Sequence, residues 1–331
     1  SKTKLISKIQ KNRFKNITET KIKIRKNLFD QNFNIPDISN KILFAIPTIY
    51  RRKIYDVFTN TSINGEYIQG SIIKILQKMN FEIIGMDLDY TFRGHSEILE
   101  QRLNESIPWF PIEKIFSTNT TAAIKIFIKN DLKFISNQDF TILFNYREIN
   151  FWNEIKPEFV KLSFLPHLPT YLKIIENFSE FLKKNKPKAV FLPYENGPLA
   201  LSLMLACESN KIKTIGIQHG IIYPKSPSYS HDIFRNKETP FGMPLPDLTL
   251  LFGNYTKNLL TNIGKYPKEQ FCVFGNPEFF SRDKILSSLK SNNLREKYSI
   301  SSNKKIILFA TSKMQQYYNF YGKLNYDEQV W

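Results

Sequence analysis

Short apolar runs alternate with amphipathic stretches along most of the chain. Residues 41–47 form an apolar run that ends at a proline, which is typical of a buried parallel strand. Residues 67–80 carry apolar side chains at helical spacing, and residues 81–87 return to the pattern of a strand. The sequence therefore predicts a strand, a helix and a second strand, followed by another helix over 96–103 that is broken near Trp109.

The same alternation is clearer in the second half of the chain. A helix predicted over 168–182 ends in lysines and a proline, as helices often do. The elements predicted after it are strands at 189–192, 214–217, 248–252 and 271–274 and helices at 198–209 and 255–263. Alternating strands and helices indicate a parallel sheet with helices on both faces, so we predict an α/β, Rossmann-like fold. The signals between 118 and 160 are mixed and support no prediction.

A new unit is predicted to begin near the C-terminus. The pattern predicts a helix over 281–298 and then a strand over 305–310, with only 21 residues after it. We therefore predict a basic extension at 1–40, a Rossmann-like domain at 41–280, and a linker helix with the start of a second Rossmann-like domain at 281–331. We expect that second domain either to continue beyond Trp331 or to be completed by a partner chain.

Positive charge is concentrated at the N-terminus. Residues 1–26, called the basic arm below, hold ten Lys and Arg side chains and one acid, Glu19, within a chain of net charge +17. Such an arm could be a solvated extension, could be attracted to anionic lipid, or could bind nucleic acid. No motif that reads DNA or RNA accompanies the charge, so no nucleic-acid partner is expected.

Cysteine usage and hydropathy narrow the class of protein further. Cys207 and Cys272 are the only cysteines, and both lie in apolar runs, which predicts neither a disulfide framework nor a zinc site. The longest apolar stretch, 199–207, is far shorter than the roughly 20 residues that cross a bilayer, and no signal peptide opens the chain. We expect a cytoplasmic protein that the basic arm could hold at the inner face of the cytoplasmic membrane.

The turn at 193–198 is the first candidate site. In an open parallel sheet, ligands bind where loops leave the carboxyl ends of strands and helix N-termini point outward. Asn196 or Gly197 suits the N-cap of the next helix, and Pro198 suits its first position. Glu195 would then lie at the rim of a cleft, as a general base for a substrate hydroxyl or as its binding group. The alternative is a carboxylate that only offsets the helix dipole.

The turn at 216–220 is the second candidate site and follows an apolar strand. An imidazole at His219, beside the Gln218 amide and Gly220, can take a hydroxyl proton or donate to a phosphate, and it can change charge near neutral pH. A purely structural hydrogen-bonding histidine is the alternative. We expect the two turns to emerge side by side at one edge of the sheet, facing an opening.

Two further turns carry weaker signals. Gly275 and Pro277 end a strand and frame Asn276, which on physical grounds is an interdomain hinge. Thr311, Ser312 and Lys313 follow the predicted strand at 305–310. Their hydroxyls and ammonium could meet a diphosphate, or they could be a plain polar loop.

These motifs resemble a known family. The run PDLTLLFGNYTKNLL at 246–260, then Gly264, then FCVFGNP at 271–277 resembles the linker region of GT-B type proteins acting on surface carbohydrates. These proteins include capsule and lipopolysaccharide glycosyltransferases, CDP-glycerol glycerophosphotransferases and UDP-N-acetylglucosamine 2-epimerases. The IQHG run at 217–220 is similar to the strand-end QHG of the capsule-type transferases. The matched motifs extend over about residues 188–313.

The resemblance implies an enzyme with two Rossmann-like domains, the first for the acceptor and the second for a nucleotide-sugar donor. It implies no metal and no cofactor, because helix N-termini and basic side chains stabilise the departing diphosphate. Glu195 and His219 are then the expected catalytic residues. The expected substrate-binding residues are Asn196, Gly197, Gln218, Gly220, Asn276, Thr311, Ser312 and Lys313.

Departures from the family pattern select among its activities. The epimerases have an acidic residue where this chain has Gln218 and His219, and a His-Arg pair where it has residues 311–313. The predicted function is therefore a glycosyltransferase that moves a sugar from a nucleotide-activated donor to a lipid-linked or polysaccharide acceptor. A CDP-polyol phosphotransferase and a non-catalytic binding subunit completed by a partner chain are the alternatives.

Overall fold

A computed structural model gives the fold of the chain. It describes residues 34–56, 58–59, 61–88, 96–115, 124–127, 129–130, 145–158, 165–193, 195–224, 226, 228–229, 231, 234, 242–277, 279 and 295–307. The chain divides into two compact units, Ser1–Ser281 and Arg282–Trp331. The basic arm and Thr311, Ser312 and Lys313 lie outside the described residues, so their predicted roles stay predictions.

Strands and helices alternate through the first unit. The strands are β1 Ile42–Pro47, β2 Arg51–Asp56, β3 Thr61–Glu66, β4 Ile83–Leu88, β5 Trp109–Pro111, β6 Asn145–Tyr146, β7 Ile149–Asn150, β8 Ala189–Pro193, β9 Lys213–Ile217, β10 Leu248–Leu251 and β11 Phe271–Val273. The α-helices are α1 Gln69–Lys78, α2 Ser96–Leu103, α3 Trp152–Glu158, α4 Leu165–Lys184, α5 Pro198–Ser209 and α6 Asn254–Asn262.

Seven of the strands form one parallel sheet. Their order is β11-β10-β9-β8-β1-β4-β5, and every neighbouring pair runs parallel. The chain first builds outward from β1 through β4 to β5, and then builds in the opposite direction from β8 to β11. The order of strands therefore reverses between β1 and β8, which is where open sheets of this kind leave a crevice for ligands.

Both faces of the sheet are covered by helices. In β1, Leu43 and Ala45 pack into a core that contains α4 and α5, whereas Phe44 and Ile46 pack into a core that contains α1. This alternation follows from the two-residue period of a strand. The predicted α/β, Rossmann-like class is thus confirmed, and helix α5 has the bounds that the sequence predicts.

Outside residues 118–160, for which no prediction was made, strand β5 and the β2–β3 hairpin were not predicted. Strand β5 is only three residues long and ends in a proline, so its sequence resembles a helix stop more than a strand. It pairs with β4 next to Gly85, where an added Cβ would lie 2.3 Å from the Trp109 ring. The β2–β3 hairpin was missed because its residues are mainly polar, and only Ile54 and Ile63 pair as apolar neighbours.

The hairpin is an insertion at the carboxyl end of β1. A short 3-10 turn, Thr48–Tyr50, leads from β1 into β2, and the chain returns from β3 at Tyr67. The Tyr67 N–H donates to the Tyr50 carbonyl at 2.7 Å, which closes the base of the hairpin. Helix α1 therefore begins beside the end of β1, as it would without the insertion.

The second unit is described only at residues 295–307. Residues 295–297 are helical, which agrees with the end of the helix predicted over 281–298. Residues 305–307 are not in a strand, in contrast to the prediction for 305–310. A strand is stable only beside a neighbour, and no described residue of this unit supplies one.

Candidate functional site

The two predicted turns leave neighbouring strands at the same edge of the sheet. Strands β8 and β9 are adjacent and parallel, and Pro193 at the end of one is paired with Ile217 at the end of the other. Glu195 and His219 each follow those ends by two residues. Because β8 also borders β1, both turns lie beside the point where the strand order reverses.

Glu195 is an enclosed carboxyl group with one occupied oxygen. Its side chain is 4% exposed, and Oε1 accepts a hydrogen bond from the Tyr229 hydroxyl at 3.2 Å. Oε2 is buried and has no hydrogen-bond partner among the described residues. Glu195 was predicted at the rim of a cleft; it is instead enclosed, and the hydroxyl of Tyr229, from the segment after β9, donates to its carboxyl.

Burial raises the pKa of Glu195 to about 7, although its own backbone N–H and the Tyr229 hydroxyl lower it. A carboxyl with this pKa is populated in both its acid and its base form near neutral pH, which suits proton transfer. The alternative role, a carboxylate that offsets the dipole of α5, would require a lowered pKa. The direction of the shift therefore argues against the dipole role.

His219 is held neutral. Its ring meets the Tyr50 ring edge to face, with centroids 6.2 Å apart, and burial lowers its pKa to about 4. The expectation that His219 changes charge near neutral pH is thus wrong for this environment, because the partly apolar surroundings disfavour the imidazolium. A neutral imidazole can still accept or donate a hydrogen bond. Tyr50 brings the end of β1 into the same site.

Gln218 braces the strand ends instead of projecting into the site. Its Oε1 accepts from the Phe252 N–H at 2.8 Å, and its Nε2 donates to the Gly220 carbonyl at 2.8 Å. The side chain is 3% exposed and so joins the end of β9 to the end of β10. At Gly220 an added Cβ would meet no atom within 4 Å, so space does not require a glycine there.

The remaining predicted residues have different positions. Gly197 is the N-cap of α5 with an extended backbone, and Pro198 follows at the first helical position, as predicted. The buried Nδ2 of Asn196 has no hydrogen-bond partner among the described residues, so this turn holds a donor as well as the acceptor Oε2 of Glu195. Asn276 follows β11, three strands from β8, a separation of roughly 14 Å. Gly275 before it has a φ of 91°, which favours glycine.

Tyr229 and Tyr266 lie near Glu195 and Tyr50 lies near Tyr229, and none of the three was singled out from the sequence. Tyr229 bonds the carboxyl, and the ionised carboxyl contributes, after burial, to raising the pKa of both Tyr229 and Tyr266. Tyr50 also contributes to the raised pKa of Tyr229. Tyr229 lies in a segment without periodicity, so its only signal in the sequence is its proximity to the turn at 216–220.

A second buried polar cluster lies at the same edge, at the carboxyl ends of β1 and β4. Arg102 has no exposed surface, and its guanidinium donates to Glu66, to Asp87 and to the carbonyls of Ile46 and Pro47. Its carbon lies 4.5 Å from the centre of the Trp109 ring. We call Arg102, Glu66 and Asp87, with the neighbouring Arg51, the arginine cluster. It fixes the base of the β2–β3 hairpin to the sheet.

A surface pocket at the opposite edge of the sheet is a less suitable site. It is lined by residues that precede or begin strands, among them Lys213, Asp247 and Gln270. Lys213 and Asp247 are joined by a 2.6 Å ion pair, and Asp247 also accepts from the backbone of Thr214. The amino ends of parallel strands receive helix C-termini, so this edge lacks the N–H groups that converge at the carboxyl edge.

The described residues contain neither a cluster of metal ligands nor a membrane-spanning helix. Within them, no group of three or more His, Cys, Asp or Glu side chains could hold a metal ion. Of the helices in the described ranges, none combines the length and apolar character needed to cross a bilayer. Cys207 is buried, whereas Cys272 is exposed on edge strand β11, which corrects its predicted apolar environment.

Comparisons with known proteins give structural likenesses only. The sequence matches no protein-family model and no curated protein. The UDP-GlcNAc 2-epimerase of Neisseria meningitidis bound to UDP-GlcNAc is 13% identical, with a TM-score of 0.38 over 80% of this chain and 56% of that one. MnaA of S. aureus with UDP is 13% identical, with a TM-score of 0.33 over 78% and 50%. The chain spans about half the length of these proteins, and such likeness assigns it neither a family nor an activity.

Proposed function

We propose that this chain is the acceptor-side part of a glycosyltransferase that moves a sugar from a nucleotide-activated donor to a lipid-linked or polysaccharide acceptor. The observation that carries the proposal is the Glu195 carboxyl at the strand-order reversal. One of its oxygens is held by Tyr229, and the other has no partner among the described residues. The motif resemblance at residues 246–277 supplies the choice of reaction class.

In the proposed reaction the ionised Glu195 carboxylate accepts the proton of an acceptor hydroxyl. The acceptor oxygen forms a bond to the anomeric carbon of the donor sugar, and the bond from that carbon to the diphosphate breaks. The electron pair of the broken bond leaves with the nucleoside diphosphate. The raised pKa supports this role, because a base with a pKa near the working pH combines adequate basicity with a useful ionised fraction.

His219 has a supporting part in this proposal. As a neutral imidazole with a pKa of about 4, it would orient the acceptor by accepting or donating one hydrogen bond. Asn196 would donate its amide N–H to the same acceptor, since its Nδ2 lies in the same turn as Glu195. Residues 311–313 are proposed for the donor side, which the resemblance places in a second domain, and Asn276 is proposed as a hinge residue near the cleft.

The test is a transfer assay on the full natural gene product. Nucleotide sugars and CDP-polyols are offered with lipid-linked and polymeric acceptors, and release of the nucleotide and mass of the product are measured. We expect sugar transfer, lowered about 10² to 10⁴-fold by Glu195→Gln. The exposed Glu208→Gln on α5 is the matched control and should retain full rate. Full activity of both Glu195→Gln and His219→Ala would refute the proposed roles.

The basic arm suggests where in the cell the enzyme acts. We propose that its net charge of +9, ten basic residues less Glu19, draws the enzyme to an anionic membrane surface, at about 1 kcal/mol for each basic residue near the lipid. Cosedimentation with vesicles that contain anionic lipid should then fall on removal of residues 1–26 and on addition of salt. Equal binding to purely zwitterionic vesicles would contradict this part.

A further inference from the structure

Tyr229 has a fixed position beside the candidate general base. It is 6% exposed and belongs to a buried cluster with residues of β10, α6 and β11, including Leu251, Leu260 and Phe271. Its N–H donates to the Ser226 carbonyl at 2.9 Å, which also fixes its backbone. A phenol packed on several elements loses little freedom when it forms a hydrogen bond, so its hydroxyl is a well-defined anchor.

The anchor acts on only one oxygen of Glu195. The Tyr229 hydroxyl reaches Oε1 at 3.2 Å, and Oε2 has no partner among the described residues. A carboxyl that is free to rotate exchanges its two oxygens, whereas one held at Oε1 keeps Oε2 in a single place. The two oxygens of Glu195 therefore have different roles.

We infer that Tyr229 is a positioning residue, which fixes Oε1 of Glu195 and so reserves Oε2 for the proton of the acceptor hydroxyl. The second part of this inference, the use of Oε2 to accept the proton, rests on the proposed function. The first part, the control of the carboxyl by Tyr229, can be measured without any activity.

Among the described residues, few groups act on the Glu195 carboxyl. Burial raises its pKa, while its own backbone N–H and the Tyr229 hydroxyl lower it. Tyr266 also lies near enough to be influenced by the Glu195 charge, but its buried hydroxyl has no hydrogen-bond partner among the described residues. Tyr50 is near Tyr229 and shares in raising the pKa of that phenol.

This arrangement provides a matched pair of variants. Tyr229→Phe removes a buried hydroxyl that bonds Glu195, and Tyr266→Phe removes a buried hydroxyl that does not. Loss of a hydrogen bond to the ionised form should raise the pKa of Glu195 and make it an acid about tenfold weaker in Tyr229→Phe. Tyr266→Phe should leave that acid constant unchanged.

The experiment titrates the full chain labelled with ¹³C at the glutamate carboxyl carbons, with the Glu195 signal assigned by its loss in Glu195→Gln. A pKa that rises in Tyr229→Phe and stays constant in Tyr266→Phe supports the inference. An unchanged pKa in Tyr229→Phe, or equal changes in the two variants, overturns it. If Tyr229→Phe does not fold, protein that carries 3-fluorotyrosine at position 229 alone answers the question, because a more acidic phenol donates more strongly. The Glu195 pKa should then fall, and no change would overturn the inference.

The transfer assay separates this inference from the proposed function. If Tyr229 positions a working base, the acidic limb of the pH profile of kcat/KM moves upward with the NMR pKa in Tyr229→Phe. A shifted NMR pKa with an unmoved profile refutes Glu195 as the base but leaves its control by Tyr229 intact. An unmoved NMR pKa refutes the positioning role whatever the activity.

Discussion

The carboxyl edge of the sheet holds buried carboxyl groups at two sites, and the two sites differ in the hydrogen-bond partners that they provide. In the arginine cluster, Glu66 and Asp87 share the Arg102 guanidinium, which makes five hydrogen bonds to two carboxylates and two carbonyls. Glu195, a few strands away, has one neutral hydroxyl as its side-chain partner and one oxygen without any among the described residues. The carboxyl groups are similarly buried at the two sites, so the sites differ in how many hydrogen-bond partners each carboxyl has.

The difference distinguishes a structural use of charge from a chemical one. Burial would lower the pKa of Arg102, but the carboxylates of Glu66 and Asp87 raise it, so the Arg102 guanidinium stays positively charged at any working pH. The Glu195 carboxyl has no cation of this kind beside it, and its pKa rises to about 7. A satisfied cluster holds its geometry, whereas an unsatisfied carboxyl gains or loses a proton readily.

Of the three changes, removing the positive charge of Arg102 should have the largest effect on the stability of the protein. Arg102→Met removes the guanidinium that the buried carboxylates of Glu66 and Asp87 share, and we expect the free energy of unfolding to fall by about 3 to 5 kcal/mol. Chemical denaturation followed by circular dichroism measures this loss. Arg52→Met is the control, because Arg52 is exposed and stacks on Tyr67, and it should cost about 1 kcal/mol or less. Similar losses in the two variants would mean that the cluster is not a structural centre.

Removing the charge of Glu195 should have a smaller effect and should stabilise the protein at alkaline pH. Its pKa is raised from 4.5 to about 7 on folding, so the folded state binds more protons than the unfolded state and stability falls as pH rises between these values. The fall is on the order of 3 kcal/mol. Thermal unfolding of Glu195→Gln should match that of the wild type near pH 4.5 and exceed it near pH 8. Parallel curves at both pH values would show that Glu195 is not buried as described.

The smallest effect is expected at His219, which should not titrate in the neutral range. With a pKa near 4, its ring signals in ¹H–¹³C NMR should stay constant from about pH 5.5 to 8, while the Glu195 carboxyl signal moves. His219→Asn assigns the ring signals. A midpoint between pH 6 and 7 for His219 would contradict the neutral imidazole used in the proposed function.

Local periodicity was enough to predict six of the seven strands of the main sheet and most of its helices. Strand β1 is a continuous apolar run because both of its faces are buried, and α5 begins at Gly197 and Pro198 because those residues suit a helix start. The positions of Glu195 and His219 followed from one rule, that parallel neighbours end at a common edge. These predictions needed no knowledge of distant contacts.

Long-range contacts account for what the sequence did not reveal. Tyr229 reaches Glu195 across 34 positions, and Arg102 reaches Glu66 across 36. Contacts between residues so far apart in sequence do not produce a periodic pattern of hydrophobic and polar residues. The pKa of His219 was misjudged for the same reason, because its burial depends on residues such as Tyr50 that are remote along the chain.

The two cysteines give the protein a built-in attachment point for a reporter group. Cys207 is buried, and burial raises the pKa of its thiol, so it reacts slowly with alkylating reagents. Cys272 is exposed on the outermost strand, about 14 Å across the sheet from the end of β8. A maleimide fluorophore or spin label will therefore modify these 331 residues mainly at Cys272, far enough from Glu195 to leave its carboxyl untouched.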